Sequence, residues 1–457
     1  VKSWGCGYSI FGNEGIFMKV IKLIFAVGFY LIAVCSCSGM FSRGSGLLPL
    51  ACREDIILCA LSTEEKEGNS IFALSPQKGQ LLWKVKSNTP VSGAWVDDQK
   101  HFYLIEQIPG GKELYEKEYL VCRSIQDGGV LWKTEIASIR PVEKALSKMA
   151  IMGGNEKPYA YIYKGPFQNG DAIVVFRNAR SSGDFGSILF YDWLSFSRVD
   201  GKLITKDDGL FLGCTDTVLL SEIRSQQDDD EVGQKPQIQL LKNGRIEKTL
   251  EESSFPPNVF SFNCEEYFES HDVSITTGTF GLIVNTFEDD TVYVYDEKAG
   301  RLSCVTVETE PDYQWKWILL PDYVCRFSET VRDKKERPFC VELYDFKGKL
   351  IGKNTFSQLF GKEYFVDFAG TNQKGDILFF EKGVLYTIGI QGLVDKGKVK
   401  IECSSQDQIG HGESIYPVRG RDKVCILVSQ GQTESFSLVD CQTGKSCWTY
   451  SEKLGEK

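Results

Sequence analysis

The feature that most constrains this chain is a strand, turn and strand frame that returns eight times. It is clearest in SIFALSPQKGQLLWKV, EYLVCRSIQDGGVLWKT and LVDCQTGKSCWTY, where Trp83, Trp132 and Trp448 each stand four residues after a turn glycine: Gly79, Gly128 and Gly444. Five further copies lose the tryptophan but keep the strands, with turn glycines placed at Gly201, Gly244, Gly300, Gly348 and Gly397. The steps between glycines are 49, 73, 43, 56, 48, 49 and 47 residues, a mean of about 52. A hairpin cannot bury its apolar face alone. Several strands recurring at a period of roughly 40 to 50 residues form propeller blades, each covering its neighbour.

Short apolar runs before the hairpins supply the missing strands: DIILCAL, HFYLIEQ, DAIVVFR, GLFLGC with TVLLSEI, GLIVNTF, YVCRFSE, DILFFEK and KVCILVS. They are β-branched or aromatic and bounded by Gly, Asp, Asn or Lys, as strands are. Helical periodicity is confined to PVEKALSKMA at 141–150. The expected fold is all-β: an eight-bladed β-propeller of four-stranded antiparallel blades over residues 47–452. At 457 residues with 42% hydrophobic content, length alone would allow two or three domains, but the unbroken repeat argues for one.

Gly444-Lys445-Ser446 imitates the end of a phosphate-gripping loop, yet Val439 holds the place of the required first glycine and a strand-like run follows where a helix should start. It reads as a turn. Net charge is −10, and no Lys/Arg cluster is interleaved with aromatics, which argues against nucleic acid. The acidic run QQDDDEVGQKP at 226–236 lacks the alternating oxygens and central glycine of a calcium loop and reads as a solvated loop. His101, His271 and His411 stand apart, and the carboxylate pairs Asp289/Asp290 and Glu265/Glu266 point to opposite faces if they lie in strands. No catalytic, cofactor or metal residue is assigned, and neither ATP nor pyrroloquinoline quinone (PQQ) is expected to bind.

Fifteen cysteines are present. Cys59, Cys122, Cys325, Cys340 and Cys425 sit inside apolar strands, where cysteine acts as a small hydrophobe. No C-x-x-C pair occurs, and Cys441 and Cys447, flanking one hairpin, are candidates for a bridge.

From Met18 the chain reads as a signal peptide, with Lys19 and Lys22 before an apolar run from Leu23 to Val34 that is too short to span a bilayer at ease. Val34-Cys35-Ser36-Cys37 resembles the lipobox of bacterial lipoproteins, which implies cleavage before Cys37 and lipid attachment to it. Residues 1–17 are expected to be untranslated or disordered, 18–36 to be the signal and 37–46 a tether.

ALSPQKGQLLW and LVDCQTGKSCW are similar to the A-L-D-x-x-T-G-x-x-x-W docking signature of the PQQ-type β-propeller repeat. That resemblance implies structural roles for the docking residues Gly79, Trp83, Gly128, Trp132, Gly444 and Trp448. One branch of the family holds PQQ and calcium as dehydrogenases; this chain lacks their Cys-Cys dipeptide and any place for their calcium ligands. The other branch comprises lipid-anchored propellers resembling the assembly lipoprotein of the outer-membrane barrel-assembly machinery. Anchor, length and repeat number favour this second branch. It implies a non-catalytic scaffold for envelope proteins, held through its lipid alone at the outer membrane and facing the periplasm, by analogy with lipoprotein sorting at Ser38. A surface carbohydrate-binding propeller is the remaining alternative.

The long step from Gly128 to Gly201 places an insertion within 137–170. Binding groups concentrate on long loops carried by rigid scaffolds. Met149, Met152, Tyr159, Tyr161 and Tyr163 are therefore the candidate partner-binding residues.

Overall fold

A computed structural model of the protein describes residues 46–62, 69–87, 94–97, 100–108, 117–139, 160–180, 188–214, 219–223, 237–250, 279–285, 289–296, 301–308, 314–320, 322–330, 338–357, 359, 366–402, 413–418, 422–430 and 433–453. All of these belong to one compact unit, Ser45–Lys457. Their strands pair into eight antiparallel sheets, seven of four strands and one of three, each built from strands consecutive in sequence. The sheets occupy residues 46–86, 94–135, 160–208, 210–250, 279–308, 314–356, 367–400 and 413–453.

Burial follows position in the sheet. In the first sheet the two middle strands, Ile57–Ser62 and Ser70–Leu74, are buried almost throughout, whereas the last, Leu81–Lys86, alternates exposed and half-buried residues. Continuous apolar runs arise where a strand is covered on both faces. The covers are neighbouring sheets: one apolar cluster joins the first and second sheets through Leu58, Ile71, Phe102 and Val121, another the second and third through Leu120, Ile173 and Phe196. Similar clusters join sixth to seventh and seventh to eighth. The eighth packs back on the first through Leu427, Phe436 and Trp448 against Leu61 and Phe72. First strands of neighbouring sheets touch, including those of the eighth and the first, so they lie inside the ring and the fourth strands form its rim. This is a β-propeller, whose core is a circuit of seams.

Each outer hairpin repeats one local design. Ser75 N donates to Gln80 O at 2.9 Å and Gly79 N to Ser75 O at 2.8 Å, with Gly79 at φ +66°, a left-handed conformation that favours glycine. Gly128, Gly201 and Gly444 repeat it at φ +73°, +67° and +69°. Just beyond the turn a register shift leaves one extra residue on the outer strand, as at Ala73/Leu74, Cys122/Arg123, Ser195/Phe196 and Leu438/Val439. Leu81 and Leu82 are consequently both about half exposed, at 46% and 53%. Such bulges also spoil the open edge for pairing with another chain.

One expectation is corrected. The turn glycine of the seventh hairpin is Gly392, at φ +74°; Gly397 lies within the strand Val394–Lys400, opposite Thr387 beside a bulge. Spacing locates a hairpin but not which nearby glycine turns it. Within 137–170, the range expected to hold the insertion, Ala160–Asn169 is the first strand of the third sheet, paired with Ala172–Arg180. Cys441 and Cys447, the candidates for a bridge, are free thiols. The expected helical segment at 141–150, the acidic run at 226–236, Gly300, and the signal, tether and Cys37 lie outside the described residues, apart from Gly46 at the end of the tether.

The third sheet is braced by a buried ion pair. Arg177 and Asp192 face each other across the third sheet, with Nε–Oδ1 at 2.9 Å and Nη2–Oδ2 at 2.6 Å, and both side chains are fully buried. Arg177 Nη1 also donates to Ile139 O at 3.0 Å, tying down the chain as it leaves the second sheet. Removing one partner strands a buried charge. Arg177→Met is expected to lower unfolding stability in urea by about 3–5 kcal/mol, and Arg177→Met/Asp192→Leu to regain most of it. A loss below about 1 kcal/mol, the scale of an exposed pair, would contradict this reading.

Candidate functional site

The three tryptophans stand in the seams, each reaching forward to the turn of the next sheet. Trp83 Nε1 donates to Ile125 O at 2.8 Å, Trp132 Nε1 to Arg198 O at 3.0 Å, and Trp448 Nε1 to Pro76 O at 2.9 Å. The glycines receive the rings: a Cβ at Gly79 would lie 2.5 Å from the Trp448 ring, at Gly128 2.8 Å from Trp83, and at Gly201 2.5 Å from Trp132. Glycine therefore serves the turn conformation and the close approach at once. Trp448 is buried, while Trp83 and Trp132 are half-buried.

Several polar groups near the seams are paired. Asp97 accepts from Tyr103 Oη at 2.9 Å and from His101 N at 2.8 Å, with His101 Nδ1 at 3.3 Å and Arg198 Nε at 3.8 Å. Arg326 lies 4.1 Å over the Trp315 ring and bonds Glu342, which also meets Lys353 at 2.6 Å and the Tyr344 hydroxyl. Burial works to raise the Glu342 carboxyl, but Arg326, Lys353 and Tyr344 together hold it below its ordinary value. Burial pushes the Cys122 thiol up to about 12 and raises those of Cys59, Cys325 and Cys425, which keeps these sulfurs protonated and weakly nucleophilic at neutral pH. Among the described residues no group of three or more His, Cys, Asp or Glu side chains is arranged to hold a metal.

The two faces of the ring differ. Because strands alternate in direction, the links from first to second strand and from third to fourth open on one face. Links from second to third strand, and from sheet to sheet, open on the other. On the first face the connections are short, none longer than 75–80, and bond to one another. Arg53 Nη1 donates to Asp97 O at 2.9 Å, Asn169 Oδ1 accepts from Gly244 N at 2.7 Å, Asn354 Nδ2 donates to Leu393 O at 2.8 Å, and Asp422 Oδ1 accepts from Gln373 N at 2.6 Å. The described strands that flank 136–159, 224–236 and 401–412 end on the opposite face.

Of the candidate partner-binding residues, Tyr161 and Tyr163 lie among the described residues. Met149, Met152 and Tyr159 lie outside them. Tyr161 and Tyr163 lie in the strand Ala160–Asn169, opposite Ala179 and Arg177. Tyr163 packs into the seam between the second and third sheets, and its hydroxyl donates to Glu118. It is a seam residue. The charged residues Arg177, Asp192, Arg326 and Glu342, each inside an otherwise apolar run, are the sequence signal for buried ion pairs within the sheets.

No protein-family model matches the chain, and no curated protein matches it in sequence. Among solved structures it is similar to BamB from Moraxella catarrhalis, with 11% identity, a TM-score of 0.43, and coverage of 86% of this chain and 95% of that one. It is also similar to apo AztD from Citrobacter koseri, at 10% identity and TM-score 0.46 over 88% of this chain and 95% of that one. A prolyl endopeptidase structure matches at 9% identity and TM-score 0.48, over 90% of this chain and 50% of that one. Each is a likeness of fold at low identity.

Trp448→Ala removes a buried ring and its bond to Pro76 from the seam between the last sheet and the first. It is expected to cost about 3–5 kcal/mol in urea unfolding, with partner binding falling only as the folded fraction falls. Unchanged stability with lost binding would make Trp448 a binding residue instead.

Proposed function

We propose that the protein is a lipid-anchored, eight-bladed propeller of the bacterial cell envelope that gathers protein partners without catalysis, on the face bearing the long connections. The asymmetry of the two faces carries this reading. On one face short turns are tied from sheet to sheet, as by Arg53 to Asp97 O and Asp422 to Gln373 N, while the strands flanking the longer stretches 136–159, 224–236 and 401–412 end on the other. Recognition concentrates on long connections carried by rigid scaffolds. The connection 136–159 contains Met149, Met152 and Tyr159, adaptable and aromatic groups suited to a protein contact. The lipobox resemblance at Val34-Cys35-Ser36-Cys37 supplies the anchor, with Ser38 after it compatible with the outer membrane. The resemblance of the repeats to those of the assembly lipoprotein points to barrel-assembly subunits as partners.

Two experiments test the reading. Mass spectrometry of the mature N-terminus is expected to find a lipidated peptide beginning at Cys37; a lipidated peptide beginning at Cys35, or an unmodified one beginning after Cys37, contradicts the anchor. The tagged, lipidated chain is expected to recover barrel-assembly subunits from envelope membranes, whereas glycans or electron carriers would favour a carbohydrate-binding or quinoprotein function.

The deletion variant must spare Ile136 and Ile139, whose carbonyls accept from Arg177. Replacing 141–157 with a short Gly/Ser linker is expected to leave the melting temperature nearly unchanged and to weaken partner recovery by roughly tenfold, the scale of one or two interface anchors. Full recovery by a well-folded deletion would remove this connection from the binding face.

A further inference from the structure

Charge is segregated in this ring. The outer hairpins at 75–86, 125–135, 198–208, 243–250, 345–356, 390–400 and 441–453 hold 17 basic and nine acidic residues, a net +8, whereas the whole chain holds 52 basic and 62 acidic. The hairpin of the first sheet carries Lys78, Lys84 and Lys86 and no acidic residue. The same rim exposes large apolar side chains. Leu81 and Leu82 on the first sheet, and Val130 and Leu131 on the second, are each about half exposed. Each pair falls at the register shift beyond its turn, where two residues stand against one on the partner strand. The bulge explains why these positions are exposed, not why they hold leucine and valine. The second hairpin, with Lys133 against Asp127 and Glu135, continues the apolar surface but not the charge.

Trp83 and Val85 pack toward the second sheet, so strand alternation puts Leu82, Lys84 and Lys86 on the other side of the strand. Lys84 Nζ meets Glu452 Oε1 of the last sheet at 2.6 Å, and Lys78 and Lys86 are exposed. A convex edge offers no groove to a peptide. Apolar side chains flanked by long cationic ones do suit an anionic lipid surface, where the first enter the headgroup boundary and the second meet phosphate.

We propose that the outer edge of the first two sheets docks on anionic phospholipid, with Leu81, Leu82, Val130 and Leu131 entering the headgroup boundary and Lys78 and Lys86 meeting phosphate. The reach of this edge to the bilayer rests on the anchor proposed above. Cys37 stands nine residues before Gly46, a span of at most about 30 Å. Gly46 begins the innermost strand of the same first sheet, three strand spacings or about 14 Å from its outer strand. The lipid can therefore enter the membrane that the edge touches. A ring standing on this edge keeps both faces open to partners.

The test places the lipidated full chain on vesicles of phosphatidylcholine alone, or of equal parts phosphatidylcholine and phosphatidylglycerol, recovers them by flotation and follows acetylation of single lysines by mass spectrometry. With phosphatidylglycerol, Lys78 and Lys86 are expected to react several-fold more slowly than with phosphatidylcholine alone. Lys347 and Lys349, on the outer hairpin of the sixth sheet, are expected to react alike in both, and high salt to weaken the protection. Leu81→Ser/Leu82→Ser, at exposed positions, is expected to keep its melting temperature and lose the protection; protection retained in this folded variant would overturn the proposal. Flotation with both vesicles and equal reaction at Lys78 and Lys86 would overturn the docking and leave the anchor standing. Flotation with phosphatidylglycerol vesicles alone, with both lysines slower than in the vesicle-free chain, would keep the docking and remove the anchor, and flotation with neither would overturn both. Protection in envelope membranes but in neither vesicle would assign the edge to a protein and overturn the proposal.

Discussion

A sheet whose inner strands are apolar on both faces must cover both, and in this ring the neighbouring sheets do so. The docking of a tryptophan on the turn glycine of the next sheet is the point at which that requirement becomes specific. The ring of Trp448 fits against Gly79 because no Cβ stands in the way, and its indole N–H reaches Pro76 O at 2.9 Å. One contact fixes the distance between two sheets and the height at which they meet. Trp83 and Trp132 do the same for the next two seams.

Seams without a docking tryptophan use other means. Between the third and fourth sheets the amide of Asn169 joins Gly244 N and Leu241 O. Between the sixth and seventh, Phe327, Phe339 and Phe379 pack edge to face, with centroids 4.9–5.1 Å apart for the pairs made with Phe379. Ion pairs such as Arg326–Glu342 lie within single sheets, and Trp315 and Trp317 cover the guanidinium. A ring built from seams in series can vary the chemistry of each, provided that the spacing between sheets is kept.

The two faces of the ring are held differently. On the face of short turns several groups bond from sheet to sheet, as Arg53 does to Asp97 O and Asp422 to Gln373 N. The strands flanking 136–159, 224–236 and 401–412 end on the other face, and a connection whose ends the ring already holds costs little more closure entropy as it lengthens.

The repeat was legible in the sequence because strand pairing and turn chemistry are local. Gly79, Gly128 and Gly444 announce left-handed turns, and the continuous apolar runs announce strands covered on both faces. Register was not legible: Gly397 and Gly392 lie five residues apart in one hairpin, and only the pairing of Thr387 with Gly397 shows which of them turns the chain. Nor was the role of Tyr163, because an aromatic beside Pro and Gly looks like a loop residue until the strand Ala160–Asn169 places it against Glu118. The sequence by itself determined the repeating hairpin, its turn glycines and the apolar character of the inner strands, since these depend on residues close along the chain. Which sheet meets which, and which turn receives each tryptophan, follow from ring closure instead, because Trp448 and Pro76 are brought together by the packing of the last sheet on the first and not by proximity along the chain.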